Sequence, residues 1–113
     1  MDDLISAAEQ EQLDEEGYVV IPEVLSIAEI ESYRAQLQQL AEAERADGKA
    51  REHADGKGQH VRWLVNKGQA FEKLVAHHKV APYFEHLLGK DYTLSTLTSN
   101  LIYPGAPDNP FHV

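Results

Sequence analysis

The clearest amphipathic segment of the chain is a run in which Ile27, Ile30, Tyr33, Leu37 and Leu40 recur at three- and four-residue steps, with Glu, Gln and Arg between them. That spacing lays one apolar stripe along a helix. Ser26-Ile27-Ala28-Glu29 has capping-box spacing, so the helix is predicted from Ser26 to about Ala46. The stripe is a packing face and carries no chemistry. Ser6-Ala7-Ala8-Glu9 repeats the capping box and opens a shorter helix that ends before Gly17. Between the two helices, Tyr18-Val19-Val20-Ile21 is a β-branched run stopped by Pro22, which predicts a short buried strand.

From Asp47 to Gln59 the pattern lapses. No side chain there is both apolar and larger than alanine, and Gly48, Gly56 and Gly58 interrupt it, so residues 47–60 are predicted to form a mobile polar loop. His53 and His60 lie in or beside it, and two loop histidines at this separation are ordinarily solvated. Val61-Arg62-Trp63-Leu64-Val65 reads as a strand with its tryptophan in the core, followed by a turn at Asn66-Lys67-Gly68. Ala70 to about His77 is predicted helical, with Phe71, Leu74 and Val75 on one side. A further helix begins near Val80, tolerates Pro82 in its first turn and stops at Gly89. His77, His78 and His86 sit on these helices as surface or partly packed imidazoles, with no acidic partner at ligand spacing. Tyr92 to Tyr103 is the longest predicted strand. Thr96, Thr98 and Asn100 alternate onto one face, Leu97, Leu101 and Tyr103 onto the other. A polar strand face looks at solvent or lines a polar cavity.

With 113 residues the chain amounts to one domain at most. The absence of cysteine excludes disulfides, zinc ribbons, thiol catalysis and iron–sulfur ligation. Met1-Asp2-Asp3 is acidic where a secretion signal is basic, and no apolar run approaches a membrane span, which makes a cytoplasmic protein the default expectation. The net charge of −9 is uneven: residues 1–55 hold 15 acidic against 4 basic side chains, residues 56–113 hold 4 against 6. Nucleic acid is disfavoured as a partner, because phosphate contacts need clustered Lys and Arg. Such an acidic run is ordinarily a solvated helical face.

Leu13-Asp14-Glu15-Glu16-Gly17-Tyr18-Val19-Val20-Ile21-Pro22, then Val24-Leu25-Ser26 and the capped helix, resembles the opening of phytanoyl-CoA dioxygenase-like proteins. So do Trp63-Leu64-Val65-Asn66-Lys67-Gly68, Phe71-Glu72-Lys73-Leu74-Val75 and Glu85-His86-Leu87-Leu88-Gly89. Leu94 to Gly105 then leads into Pro110-Phe111-His112-Val113, where the family carries a His-x-Asp motif. The resemblance implies an α+β fold: the N-terminal part of a double-stranded β-helix (jelly-roll, cupin-like) oxygenase, with helices packed on its first strands. It implies Fe(II) as metal, 2-oxoglutarate as co-substrate, and O2 with a small-molecule substrate as reactants, without a nucleic-acid or membrane partner. A facial triad of two histidines and a carboxylate leaves coordination positions open for 2-oxoglutarate and O2. Residue by residue, His112 matches the first metal ligand. Asn100 and Thr98 match the strand bordering the co-substrate, and Arg62 stands where relatives place a basic or polar residue near it.

On this reading residues 1–113 are a single incomplete domain, divided inside its metal motif and inactive alone, because Val113 follows His112 and no distal histidine or arginine comes after it. The strands are too few to close a barrel and leave unpaired edges. The rival expectation is a small acidic α+β interaction module without catalysis, whose helix at 26–46 docks on a partner.

Overall fold

The computed structural model describes residues 4–108. Its order is α1 (Ala7–Glu16), α2 (Ile27–Ala46), β1 (Arg51–Glu52), β2 (Gly58–Val61), a 3-10 turn at Leu64–Lys67, α3 (Gln69–Val75), α4 (Ala81–Leu88) and β3 (Ser99–Ile102).

Both capping boxes form. The Ser6 and Ser26 hydroxyls each accept the backbone N–H of the glutamate three residues on, at 3.1 Å, and each glutamate carboxylate accepts the serine N–H in return. Two of the four free N–H groups at each helix start are thereby satisfied. At its other end α1 stops on Gly17, whose φ of +80° turns the chain out while its N–H donates to the Leu13 carbonyl at 3.0 Å.

The sheet is antiparallel in the order β1-β2-β3, with β2 central. Gln59 lies opposite Glu52 on one side and Leu101 on the other; His60 lies opposite Arg51 and Asn100. Alternation turns Gln59 and Val61 toward α2, and both are fully buried. Among the described residues four form the buried core, Ala41, Val61, Leu64 and Phe71, with Tyr33, Leu37, Leu40, Leu97 and Leu101 packed around it. Tyr33 also donates its hydroxyl to the Ala70 carbonyl at 2.9 Å, tying α2 to the start of α3.

Gln59 is the one buried polar side chain among the described residues. Its amide N–H donates to the Ala41 carbonyl at 3.1 Å, and its amide oxygen accepts from Arg45 Nη1 at 2.9 Å. Arg45 Nη1 donates also to the Tyr103 hydroxyl at 2.7 Å. Alanine at position 41 lets the strand come close enough to reach the helix backbone.

Several strand expectations give way. Residues 18–21 form no strand, and Val20 is 75% exposed, since a β-branched run without a partner strand has no ladder to join. Residues 47–60 include β1 and most of β2: the chain reverses through a turn closed by the Gly56 N–H on the His53 carbonyl at 2.9 Å, with Gly56 at φ +72°. The strand expected at 61–65 ends at Val61, because Trp63 takes a left-handed conformation (φ +55°) and starts the 3-10 turn. Trp63 is therefore 59% exposed, not core. The strand expected at 92–103 pairs only over Ser99–Ile102, the length that β2 offers. Of the α2 stripe, Tyr33, Leu37 and Leu40 meet the core, whereas Ile27 is 80% exposed. A 20-residue helix is about 30 Å long and a four-residue strand only about 13 Å, so the sheet cannot cover the helix's first turns.

Two side-chain pairs fasten α1 to α4. Tyr83 donates its hydroxyl to Glu9, and His86 Nε2 lies 3.0 Å from Asp14 Oδ1. The Tyr83 bond, aided by the Ser6 cap, holds the Glu9 carboxyl below its ordinary 4.5. The same bond, with burial and the carboxylate's charge, pushes the Tyr83 hydroxyl up to about 12.

Gln59→Ala leaves the Ala41 carbonyl and Arg45 without these bonds and should lower stability by about 1–3 kcal/mol. Urea unfolding measures this, and an unchanged midpoint would show that the bonds carry no net stability. The α1–α4 clasp should be pH-limited at both ends. A depressed carboxyl stabilises above its unfolded value of 4.5 and loses that contribution as pH falls through the folded value. A raised phenol stabilises below 10.0 and loses that contribution as pH rises through about 12. In an ultraviolet titration of the five tyrosines one should ionise late, and Tyr83→Phe should remove that late phase.

Candidate functional site

The face of the sheet turned away from α2 is built by the same alternation that buries Gln59. Gly58 and His60 of β2 point to it, and the register puts Asn100 beside His60. His53 extends β1 by one residue, its N–H donating to the Gly58 carbonyl at 2.9 Å. The His53 ring then reaches across the sheet, with Nε2 2.8 Å from Asn100 Oδ1. With the amide oxygen accepting, Nε2 carries the proton and the Asn100 NH2 group remains as a donor. The His53 and His60 rings lie 5.0 Å apart between centroids, tilted at 43°.

Gly58 makes this possible by its size. A Cβ there would stand 2.4 Å from His53 Cε1 and Nδ1 and 2.8 Å from the Leu101 carbonyl oxygen. The His53 ring occupies the space a side chain would fill. Thr98 precedes β3 and is exposed, and its hydroxyl lies 3.4 Å from that of Thr96. The register places no carboxylate on this face of the three strands; Glu52 stands opposite Gln59 on the other face. With Arg51 opposite His60 in the register, this is in a chain of net charge −9 a local patch of imidazole, amide and guanidinium groups, able to donate hydrogen bonds to a carboxylate or carbonyl oxygen.

Residues 13–113 match the profile of the phytanoyl-CoA dioxygenase (PhyH) family. The chain belongs to that family. The match begins at Leu13, runs the length of the sheet and includes His112. Members of the PhyH family generally use Fe(II) and 2-oxoglutarate. No curated protein and no solved structure matches the chain at a significant level. No helix among the described residues is long and apolar enough to cross a membrane.

Against the PhyH expectation, the residues separate into three places. Asn100 lies at the polar face, held by His53, and Thr98 is exposed just before β3. Arg62 lies beyond the end of β2 with its guanidinium 4.5 Å from the Trp63 ring centroid, and it lines a different cleft, at the outer edge of β1. His112 falls outside the described residues. Among the described residues no three His, Asp or Glu side chains gather as a metal-binding group. The polar face holds two imidazoles and no carboxylate, so these residues do not by themselves fit a facial triad.

His53 and His60 are the residues that reading the sequence missed. The signal was Asp55-Gly56, a dipeptide favoured in tight hairpins, set between them. Their strands contain too few apolar residues to show the period of two.

Gly58→Ala should expel the His53 ring from the sheet and lower stability by about 1–3 kcal/mol. Loss of the His53 Nε2–H signature in histidine-ring NMR checks the first effect. Adding His53→Ala should return part of the stability, and a strictly additive double mutant would show that the ring and Gly58 do not compete for space.

Proposed function

We propose that this chain is the N-terminal part of a non-haem Fe(II)- and 2-oxoglutarate-dependent hydroxylase, with His112 as its first iron ligand and the polar sheet face as the wall bordering 2-oxoglutarate. The observation that carries the reading is the family match through His112, joined to a sheet face free of carboxylates. In such an enzyme the iron supplies the activation of O2.

The chain's own part is to position. Asn100, its oxygen taken by His53 Nε2–H, turns its NH2 toward an acceptor, and a co-substrate carboxylate is such an acceptor. The Thr98 hydroxyl adds a second donor. His60 packs against His53 and limits the ring's freedom, so the Asn100 amide meets its ligand already oriented. Arg62 is the least supported of the co-substrate residues, since it stacks on Trp63 at another edge of the sheet.

A facial triad needs a second imidazole and a carboxylate placed with His112. The one His-x-Asp sequence in these 113 residues is His53-Ala54-Asp55 at the β1–β2 turn, and the motif proposed at His112 is not completed here, so the isolated chain is inactive on this proposal. The strands expected to complete the jelly roll would pair with the free edge of β3, and jelly rolls use about eight strands where three are described here.

The test compares the 113-residue chain with the same chain joined to whatever coding sequence follows it. Succinate formation from 2-oxoglutarate is measured with Fe(II) under O2. The isolated chain should give none, and the extended protein should turn over. In the extended protein His112→Ala should abolish turnover, whereas Asn100→Ala should raise the KM for 2-oxoglutarate about tenfold, the worth of one hydrogen bond to a charged group. Full activity of the His112→Ala protein would remove His112 from the site, and activity of the isolated chain would overturn the division of the triad.

A further inference from the structure

The cleft at the outer edge of β1 has a volume of about 400 Å³ and lies between the C-terminal end of α2 and Trp63. That is within the range of small-molecule sites, roughly 300–1,000 Å³. Lys49, Arg51, Arg62 and Lys67 line it. Lys49 and Arg51 are two of only four basic residues in the first 55, so half of this cationic wall comes from the acidic part of the chain.

The charges divide unequally. Lys67 is committed to Glu44, with Nζ 2.9 Å from Oε2 and both side chains mostly covered. Asp47 is the remaining carboxylate in the lining. Among the described residues no salt bridge engages Lys49, Arg51 or Arg62. Three cations against one carboxylate leave an excess of two positive charges, which suits a dianion better than a monocarboxylate.

Trp63 adds a second, independent observation. A bulky residue at φ +55° is a backbone outlier, and here it starts the 3-10 turn that carries Leu64 into the core. It throws the indole outward, 59% exposed, onto the wall of the cleft. Strained backbone positions cluster at active sites and ligand clamps. The Arg62 guanidinium rests over this ring at 4.5 Å, so its planar fork is oriented before any ligand arrives.

We propose that this cleft binds a small phosphomonoester carried on a planar ring, its phosphate taken by Lys49, Arg51 and Arg62 and its ring by Trp63. A phosphomonoester carries close to two negative charges near pH 7 and three acceptor oxygens, which fits two guanidinium forks and an ammonium. Neither Asn100, Thr98 nor His53 lines the cleft; Arg62 is the one residue it shares with the co-substrate residues proposed above, and the inference assigns it to the cleft.

Trp63 is the only tryptophan and reports on the cleft directly. Phenyl phosphate is titrated into the full chain, with intrinsic fluorescence and calorimetry as readouts and phenol and inorganic phosphate as comparisons. Phenyl phosphate should saturate the signal and bind more tightly than either comparison. Arg51→Gln and Arg62→Gln should each weaken it about tenfold, the worth of a charge-assisted hydrogen bond, whereas Lys73→Gln on α3 should not. Circular dichroism confirms that each variant is folded; if Arg62→Gln is not, Lys49→Gln takes its place with the same expected loss. Absence of saturation at millimolar concentrations, equal binding of phenol or inorganic phosphate, or binding unaffected by the arginine substitutions would each overturn the proposal.

Discussion

The bonds from Gln59 to α2 set the orientation of everything else in the sheet. A buried amide must have its donors and acceptors met, and Gln59 meets them on the Ala41 carbonyl, Arg45 and the Tyr103 hydroxyl. Since strand side chains alternate, fixing Gln59 toward the helix fixes Gly58 and His60 away from it. A slip of one residue would place the imidazole in the core and the amide in solvent. The polar face is thus a consequence of how β2 is locked to α2.

The charge pattern follows the same geometry. Both capping glutamates are committed to serine N–H groups at helix starts, where a negative charge also meets the positive end of the helix dipole. Glu9 and Asp14 are engaged by α4. Among the described residues most carboxylates of the acidic half lie on α1, α2 and the segment between them, Glu52 of β1 faces away from His60 and Asn100, and Glu44 and Asp47 reach the outer-edge cleft.

Helices were the legible part of this fold. Ser-x-x-Glu spacing, a three-and-four apolar period and a stop glycine are local signals, and α1, α2 and α4 formed within a residue or so of their expected bounds. Strands were less legible because a strand needs a partner. Tyr18 to Ile21 has high strand propensity but no neighbour among the described residues to pair with, whereas residues 47–60 look like loop and hold β1 and most of β2, which pairs on both sides. Asn100 and Thr98 could be picked out from their polar alternation and the family pattern. His53 could not, since its contact with Asn100 spans 47 residues.

The sequence by itself determined family membership, the capped helices and which faces were polar, because those depend on the identity and near spacing of residues. Only the tertiary structure decided that Gly58 leaves room for His53, that Trp63 turns outward and that Arg62 belongs to the edge cleft and not to the Asn100 face. Each of these depends on how closely segments distant in the chain approach one another, and that is settled by packing against α2, not by any pattern along the chain.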